Sequence, residues 1–512
     1  MAQTNLIDRV IGYVAPQRAE KRIAARQRIQ RMATTRNLYD AATLGRRANG
    51  WRRISTDANA ENRYALRLLR DAARDMVRNN AFAFRAKSTI KHNVVGAGIL
   101  PQVKAGRPER KQQINELLKL HFDSTDIDAD GRTNLYGLQA MVMATVVEAG
   151  ECLIRKRVRR PTDGYALPFQ LQVLEPDFLD TNFDGPLPNG NTCIQGIEFD
   201  LRGKRVAYYL YDQHPGAVFG GAVSLPRGRR VSADFVAHVY RVDRPGQVRG
   251  VSWFAPVMVR MRDFADYTDA QLMRQKIAAC FAAFITSEDD FDANGEIGGD
   301  GSINGNDGVS PYPVESFEPG MIERLRTGES VTFATPPTTQ DFGPYYSTTL
   351  HEIAAGLNIP FESLTVDLSE VSFISGRLGR IEFHTSVDDW RWNMLIPQMM
   401  GPLAAWTLEA ASVATGSSEP FTLGWTPPRW EMLDPAAEVA ASSAAIRNGL
   451  TWRSEELRKN GIDPDDWLAG MAADNAAIDA FGIVLDSDPR TTTLRGASQK
   501  SDSSKPANAP GA

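Results

Sequence analysis

The chain of 512 residues is poor in the side chains that usually carry chemistry. Its three cysteines, Cys152, Cys193 and Cys280, are too few and too scattered for a disulfide framework, and none sits in the Cys-x-x-Cys pair that suggests zinc. The six histidines are equally dispersed. Long hydrophobic runs are missing as well. The longest strongly apolar stretch, 277–285, falls far short of the roughly 20 residues that cross a bilayer, and the N-terminus lacks an apolar signal core. These absences predict a soluble intracellular protein with no metal centre, no cofactor and no membrane partner.

Catalytic motifs fail one by one. His351-Glu352 opens like a zinc-protease helix, but Ala355 stands where the second histidine must share the metal. Asp126-x-Asp128-x-Asp130-Gly131 opens like a calcium loop and ends on Gly137 where a bidentate Glu is needed; the run from Asp290 fails in the same way at Gly301. Gly298-Gly299-Asp300-Gly301 starts like a calcium β-roll repeat but occurs once, and such repeats need neighbours. Gly96-Ala97-Gly98 lacks a third glycine opening a helix, and Gly203-Lys204 lacks the rest of a phosphate loop. No Gly-x-Ser-x-Gly elbow occurs. By exhaustion, the residues argue against an enzyme.

What is present is an ordinary globular balance, 42% hydrophobic and 23% charged, long enough for about three or four structural units. The net charge of −4 hides an asymmetry. Residues 1–53 hold twelve Lys and Arg against three acids, which leaves the remainder with thirteen surplus negative charges. A basic arm on an acidic body suits contact with a polyanion or an acidic partner, although a solvated helix or a transit peptide has the same composition. Helical spacing is predicted over 60–78, 81–92, 110–122, 135–152, 253–285 and 347–357, and over 375–409 with kinks at Pro397 and Pro402. Between the fourth and fifth of these, 153–250 alternates in strand fashion, with a hairpin across 197–211. Residues 288–308 form an acidic Gly-rich loop with seven acids and no Lys or Arg. Asp434-Pro435 and Asp463-Pro464 start helices near the end, and the Ser/Thr/Lys/Pro-rich tail past Asp486 is expected to be disordered.

Several blocks, in order, resemble the lambda-type portal proteins of tailed bacteriophages. They are Tyr39-Asp40-Ala41-Ala42 with Gly45-Arg46-Arg47 and Trp51, then 74–80, then Asn93-Val94-Val95-Gly96-Ala97-Gly98-Ile99-Leu100-Pro101. The most specific are 243–253 (Asp-Arg-Pro-Gly-Gln-Val-Arg-Gly-Val-Ser-Trp) and 353–360 (Ile-Ala-Ala-Gly-Leu-Asn-Ile-Pro). Asp367-Leu368-Ser369, Ser375-x-Arg377, Trp425-Thr426-Pro427-Pro428 and Asp434-Pro435 complete the set. The resemblance spans about Tyr39 to Trp467.

The resemblance implies an α+β portal-type fold that assembles into a ring, usually of twelve copies, at one capsid vertex. Its parts would be a basic arm (1–53), a wing (54–134 and 287–364), stem helices (135–152 and 253–286) and a β-rich clip between them (153–252). A tunnel loop (365–374), a long kinked helix with the wing end (375–429), a helical crown (430–486) and the tail (487–512) would follow. The implied partners are further copies of the chain, the large terminase subunit, major capsid and scaffold proteins, head–tail connector proteins, and double-stranded DNA passing without sequence specificity. The implied location is the portal vertex of the virion, reached by assembly in the host cytoplasm.

Asp263, Asp266 and Asp269, three apart on a helix, would line the channel or pair with arginines of a neighbouring copy. Asp367, Ser369, Glu370 and Ser372 would sit on the tunnel loop. Arg155, Lys156, Arg157, Arg159 and Arg160 would face a partner from the clip, or form a solvated strand end. Two other classes stay open: a metal-dependent nuclease or hydrolase using the acidic loops, and a capsid adaptor without a channel.

Overall fold

The computed structural model describes residues 54–217, 227–279, 283–287, 329–333, 342–369, 371–431, 434–460 and 464–483, with isolated positions elsewhere. The chain divides into Met1–Ala60 and Glu61–Ala512. In the first unit, Tyr13, Glu20, Lys21, Arg22 and Arg28 are helical and exposed. The acidic 288–308 segment, Glu370, Asp463 and nearly all of the tail lie outside the described residues.

The second unit opens with α1 (Ala65–Asn79) and α2 (Ala81–Val95). Asn80 breaks them because its extended backbone lets its side chain accept from Phe82 N and Ala83 N, at 2.9 and 3.1 Å, capping α2. Strand β1 (Leu100–Ala105) and α3 (Pro108–Phe122) follow. Next comes α4 (Leu135–Ala149), capped by the Asn134 side chain and ended by left-handed Gly150. The expected run of this helix to Cys152 is corrected: the chain turns at Gly150 and enters β2 (Glu151–Val158). The closeness of that turn explains the glycine, since a Cβ on Gly150 would lie 2.3 Å from the Val251 backbone.

Two sheets share β2's neighbourhood. One has three strands in the order β3 (Phe169–Leu174), β2, β9 (Val236–Tyr240), all antiparallel. The other has five, β4 (Gly185–Pro186), β5 (Thr192–Ile194), β6 (Ile197–Phe199), β7 (Arg205–Leu210) and β8 (Arg229–Ser232). The predicted 197–211 hairpin is β6–β7, its turn tightened by the Asp200 carboxylate, which accepts from Arg202 N and Lys204 N. Alternation along β2 sends Cys152 and Ile154 into the main core and Leu153 into a second, smaller core under the five-stranded sheet.

Helix α5 (Met258–Ala279) corrects a second expectation. It starts five residues later than predicted and stops before β10 (Ala283–Ser287), which pairs antiparallel with β11 (Glu329–Phe333). Met258, Met261 and Phe264 are buried, whereas Leu272 and Met273 are 51% and 58% exposed, so only the first half of its apolar stripe packs. Helix α6 (Phe342–Gly356) returns from β11 and packs on α5. After short α7 (Phe361–Thr365) comes one long helical run. It consists of α8 (Phe373–Asp389), a π-helical stretch Trp390–Met400, and α9 (Gly401–Thr415). Pro397 lies in the widened stretch, where it cannot donate the bond that a regular turn requires. Strand β12 (Phe421–Thr426) then pairs with β1, a partnership across more than 300 residues.

The main core gathers α1, α2, α4, the inner face of β2–β9, the start of α5, α6 and the long helical run. Arg391 is buried inside it and donates to the Asn93 and Val94 carbonyls that end α2. Among the described residues, the closing helices α10 (Pro435–Arg447), α11 (Arg453–Lys459) and α12 (Pro464–Phe481) contribute no side chain to either core. Asp434 caps α10 ahead of Pro435, as predicted. Among the described residues, no helix is long and apolar enough to cross a membrane.

Candidate functional site

The strongest polar constellation is one that sequence reading missed. Glu151, Arg249 and His238 are buried where β2 starts. Arg249 Nε donates to both Glu151 oxygens at 2.9 Å, Gly250 N donates to Oε2 at 2.9 Å, and His238 Nε2 lies 3.0 Å from Oε2. Burial alone would raise the Glu151 carboxyl's pKa, but Arg249 and His238 override it and hold the group well below the usual carboxylate range. Burial pushes the His238 imidazole down to about 4. Arg249 and Gly250 fall in the block Asp243–Trp253, the most specific part of the family resemblance. In physical terms, that block is a clamp tying the approach to α5 onto the end of α4. Nothing near Glu151 in the sequence signals that its charge is buried.

The five basic residues do not act together. Strand alternation puts Arg155, Arg157 and Arg159 on one face, while Lys156 points the other way and pairs with Glu409 at 2.5 Å. Lys156 is 5% exposed, so the expectation that it faces a partner is corrected. Arg160 is exposed beyond the strand, where its backbone N donates to Asp163.

Asp263, Asp266 and Asp269 are all exposed on α5 and make no ion pair among the described residues. The ion pair between α5 and α6 is instead Arg260 with Glu352, 2.9 Å apart, beside the ring contacts of Phe264 with Tyr346 and Tyr267 with Tyr345. The loop between α7 and α8 starts at Val366, whose φ of +63° is costly for a β-branched residue. Asp367 accepts from Ser369 N at 3.0 Å and Ser369 Oγ at 2.7 Å, and these bonds lower its pKa. Ser372 and Ser375 cap α8 reciprocally. Clefts of 520 and 460 Å³ flank the loop, one lined by Asp367 and Ser369 and the other by Leu368 and Ser372.

The candidate metal sites give way to simpler chemistry. Asp128 is buried, and its carboxylate accepts from the backbone N–H groups of Asp130, Arg132 and Thr133, so it caps a turn. Glu175, Asp177 and His214 do bring ligand atoms within 4.8 Å of one another. Their charge is already met: Arg74 lies 2.8 Å from Glu175 and 2.6 Å from Asp177, and Arg70 lies 3.0 Å from Asp177. Burial opposes ionisation of Asp177, yet the two arginines keep its pKa lowered. This is an ion network tying α1 to the end of β3, and a cation would meet two guanidiniums there.

Comparison with known proteins places these surfaces in a family. The family model described as phage portal protein, lambda family, matches residues 44–391. A probable portal protein of Halomonas phage phiHAP-1 is 26% identical over 434 residues, covering 81% of each chain. Portal protein B of Escherichia phage lambda is 23% identical over 324 residues, covering 58% of this chain and 60% of its own. Among solved structures, the neck of a native gene transfer agent particle aligns over 77% of this chain and 94% of that one, at 15% identity and a TM-score of 0.43. The matched span includes the Glu151 clamp, the α5 stripe and the loop before α8, and on that span the chain belongs to the lambda family of phage portal proteins.

Proposed function

We propose that the chain assembles into a closed ring, of twelve copies, at one vertex of a phage capsid, and that double-stranded DNA enters and leaves through the ring. Membership of the portal family carries this reading. The ring would dock the large terminase subunit during packaging and head–tail connector proteins afterwards, while capsid and scaffold proteins surround it during assembly in the host cytoplasm. The role is structural and asks no catalysis of the chain.

The stem and clip that the resemblance implies sit better on 258–356 than on 135–286. Helix α4 is enclosed in the core, so it is a poor candidate for a projecting element. Helices α5 and α6, followed and preceded by the antiparallel strands β10 and β11 and tied by Arg260 and Glu352, form a unit in which α5 leaves the core at exposed Leu272 and Met273. On this reading, Asp263, Asp266 and Asp269 face the lumen. Exposed, unpaired carboxylates suit a passage that must hold no phosphate tightly, because each firm contact would act as a brake. Asp367 and Ser369, on the loop before α8, line a cleft with Tyr346 and Leu350 of α6, and Ser372 caps the helix that follows; Glu370, outside the described residues, is assigned to the same tunnel loop by its place in the sequence.

Native mass spectrometry of the purified chain, with negative-stain images of the same sample, tests the ring. The expected species lies near twelve times 56.4 kDa and has an axial hole. A chain that stays monomeric even with scaffold and capsid proteins present would overturn the proposal.

A further inference from the structure

Strand β2 leaves the second core at Leu153 and continues outward with Arg155, Arg157 and Arg159 on the same face. The ladder holds its register past the strand's last residue, because Arg159 N still donates to Pro168 O at 2.9 Å. Alternate residues stand about 6.7 Å apart along a strand, so the three guanidiniums form a straight row of evenly spaced positive charge.

Their supports are neutral. Arg157 Nε donates to Gln172 Oε1 at 2.8 Å, and Arg159 Nε donates to Gln170 Oε1 at 2.7 Å. Both bonds run to the diagonal neighbour on β3. Gln170 is in turn fixed by donating to the Asp126 and Asp128 carbonyls at 2.8 and 3.0 Å. Arg155 has no hydrogen-bond or ion-pair partner among the described residues. The nearest carboxylate, Asp212, is held by Arg229 at 2.8 Å, and Arg229 adds another cation beside Arg155. Burial and mutual repulsion lower the pKa of Arg157, and burial with Arg229 does the same for Arg155. Two of the three guanidiniums are therefore oriented by amides that cancel none of their charge, and the third, Arg155, stands beside them without a partner among the described residues. A row of this kind is costly to build unless an anion completes it.

We propose that this face is a docking strip for an extended acidic segment of a partner protein, with carboxylates at alternate positions along it. The period of such a segment equals that of the strip, so each guanidinium fork meets one carboxylate. A long nucleic-acid duplex fits less well. Outside residues 1–53 the chain carries thirteen surplus negative charges, which repel an extended polyanion while leaving a short segment to the local field.

The test uses the full-length chain and an alternating Glu–Thr peptide carrying a neutral fluorophore, followed by anisotropy at low salt. A peptide of the same composition with its glutamates in one block, and a short DNA duplex of equal charge, serve as competitors. Saturable binding is expected, weakened about tenfold or more in R155Q/R157Q/R159Q. In the triple Arg→Lys variant a smaller loss, roughly threefold, is expected because charge survives and the fork does not. The blocked peptide should compete less well than the alternating one. Absence of peptide binding, or binding that ignores both triple variants, would overturn the strip. Duplex DNA that outcompetes the peptide, and loses its affinity in the same variants, would make the face a nucleic-acid surface instead. Thermal melting separates a merely structural role: removing three crowded cations should leave the Gln variant as stable as the parent, and a clear drop counts against docking.

Discussion

Helices α4 and α5 bracket the same β-rich segment, and both show apolar residues at helical steps. The structure uses them in opposite ways. Helix α4 buries Leu135, Leu138, Gln139, Val142, Met143, Val146 and Val147, and its one charge, Glu148, is matched by Lys87. Helix α5 buries Met258, Met261 and Phe264 near its start and then presents charge and exposed Leu272 and Met273. Periodicity is alike in the two; the number of charged residues per turn is not. A helix apolar on nearly every side has nowhere to go but the core, whereas a charged helix with a single stripe packs only as far as a partner follows it. A stripe that outruns its partner inside the chain leaves a surface for something outside it.

The comparison is broken most severely at the clamp that joins the two helices. Glu151→Ala should cost about 3–5 kcal/mol, because Arg249 would remain buried without its counter-charge. Urea unfolding of the purified chain measures this, and a loss below about 1 kcal/mol would mean that water reaches Arg249.

Leucine truncation gives the next largest contrast. Leu138→Ala in α4 should destabilise by about 3 kcal/mol, the ordinary cost of a core cavity. The same change at Leu272 in α5 should stay within about 0.5 kcal/mol for the isolated chain. Equal losses at both sites would show that α5 is buried along its whole length in solution.

These expectations also show what the sequence made legible. Local signals held at two places: Asp434 caps the helix that Pro435 opens, and the 197–211 hairpin forms where it was expected, its turn tightened by Asp200. The caps at Asn80 and Asn134 went unread. Nonlocal pairing was invisible. Strands β1 and β12 are short, contain Pro101 and Gly424, and become strands only because they meet. The run Arg155 to Arg160 reads as one basic patch, while strand geometry divides it, sending Lys156 inward to Glu409. The clamp was hidden for a similar reason, since Glu151, His238 and Arg249 converge from three segments.

Acid sharpens the contrast on the core side. His121 is fully buried against Phe122 and Phe169, and among the described residues neither ring nitrogen makes a well-formed hydrogen bond, the Phe169 backbone being its one polar neighbour. Burial pushes its pKa down to about 4 from the ordinary 6.5. As pH falls through 6.5 the unfolded chain takes up a proton that the folded chain refuses, so stability drops until about pH 4 and then levels off. The full effect is on the order of 3 kcal/mol. His121→Phe should flatten that part of the melting-temperature profile between pH 6.5 and 4, leaving the slopes from His238 and His384, whose pKa values are also lowered to about 4. An unchanged profile would mean that His121 takes up its proton as readily in the fold as in the unfolded chain.

The smallest effect on stability is expected on α5 itself, and it is the most informative about function. Asp263, Asp266 and Asp269 have no ion pair within the described chain, so replacing all three with Lys breaks none and removes only the weak field of Asp263 at exposed Arg260. The melting temperature of the unassembled chain should therefore move little. If the stripe faces the lumen, rings still form and DNA passage slows, because three new cations per copy would grip phosphates all around the channel. If the stripe instead pairs with arginines of a neighbouring copy, the reversal sets like charges against one another and the ring weakens before any DNA is involved. Ring yield from native mass spectrometry and packaged DNA length, measured on the same variant, separate the two, since the lumen reading keeps the ring yield and loses packaged DNA, whereas the pairing reading loses the rings first.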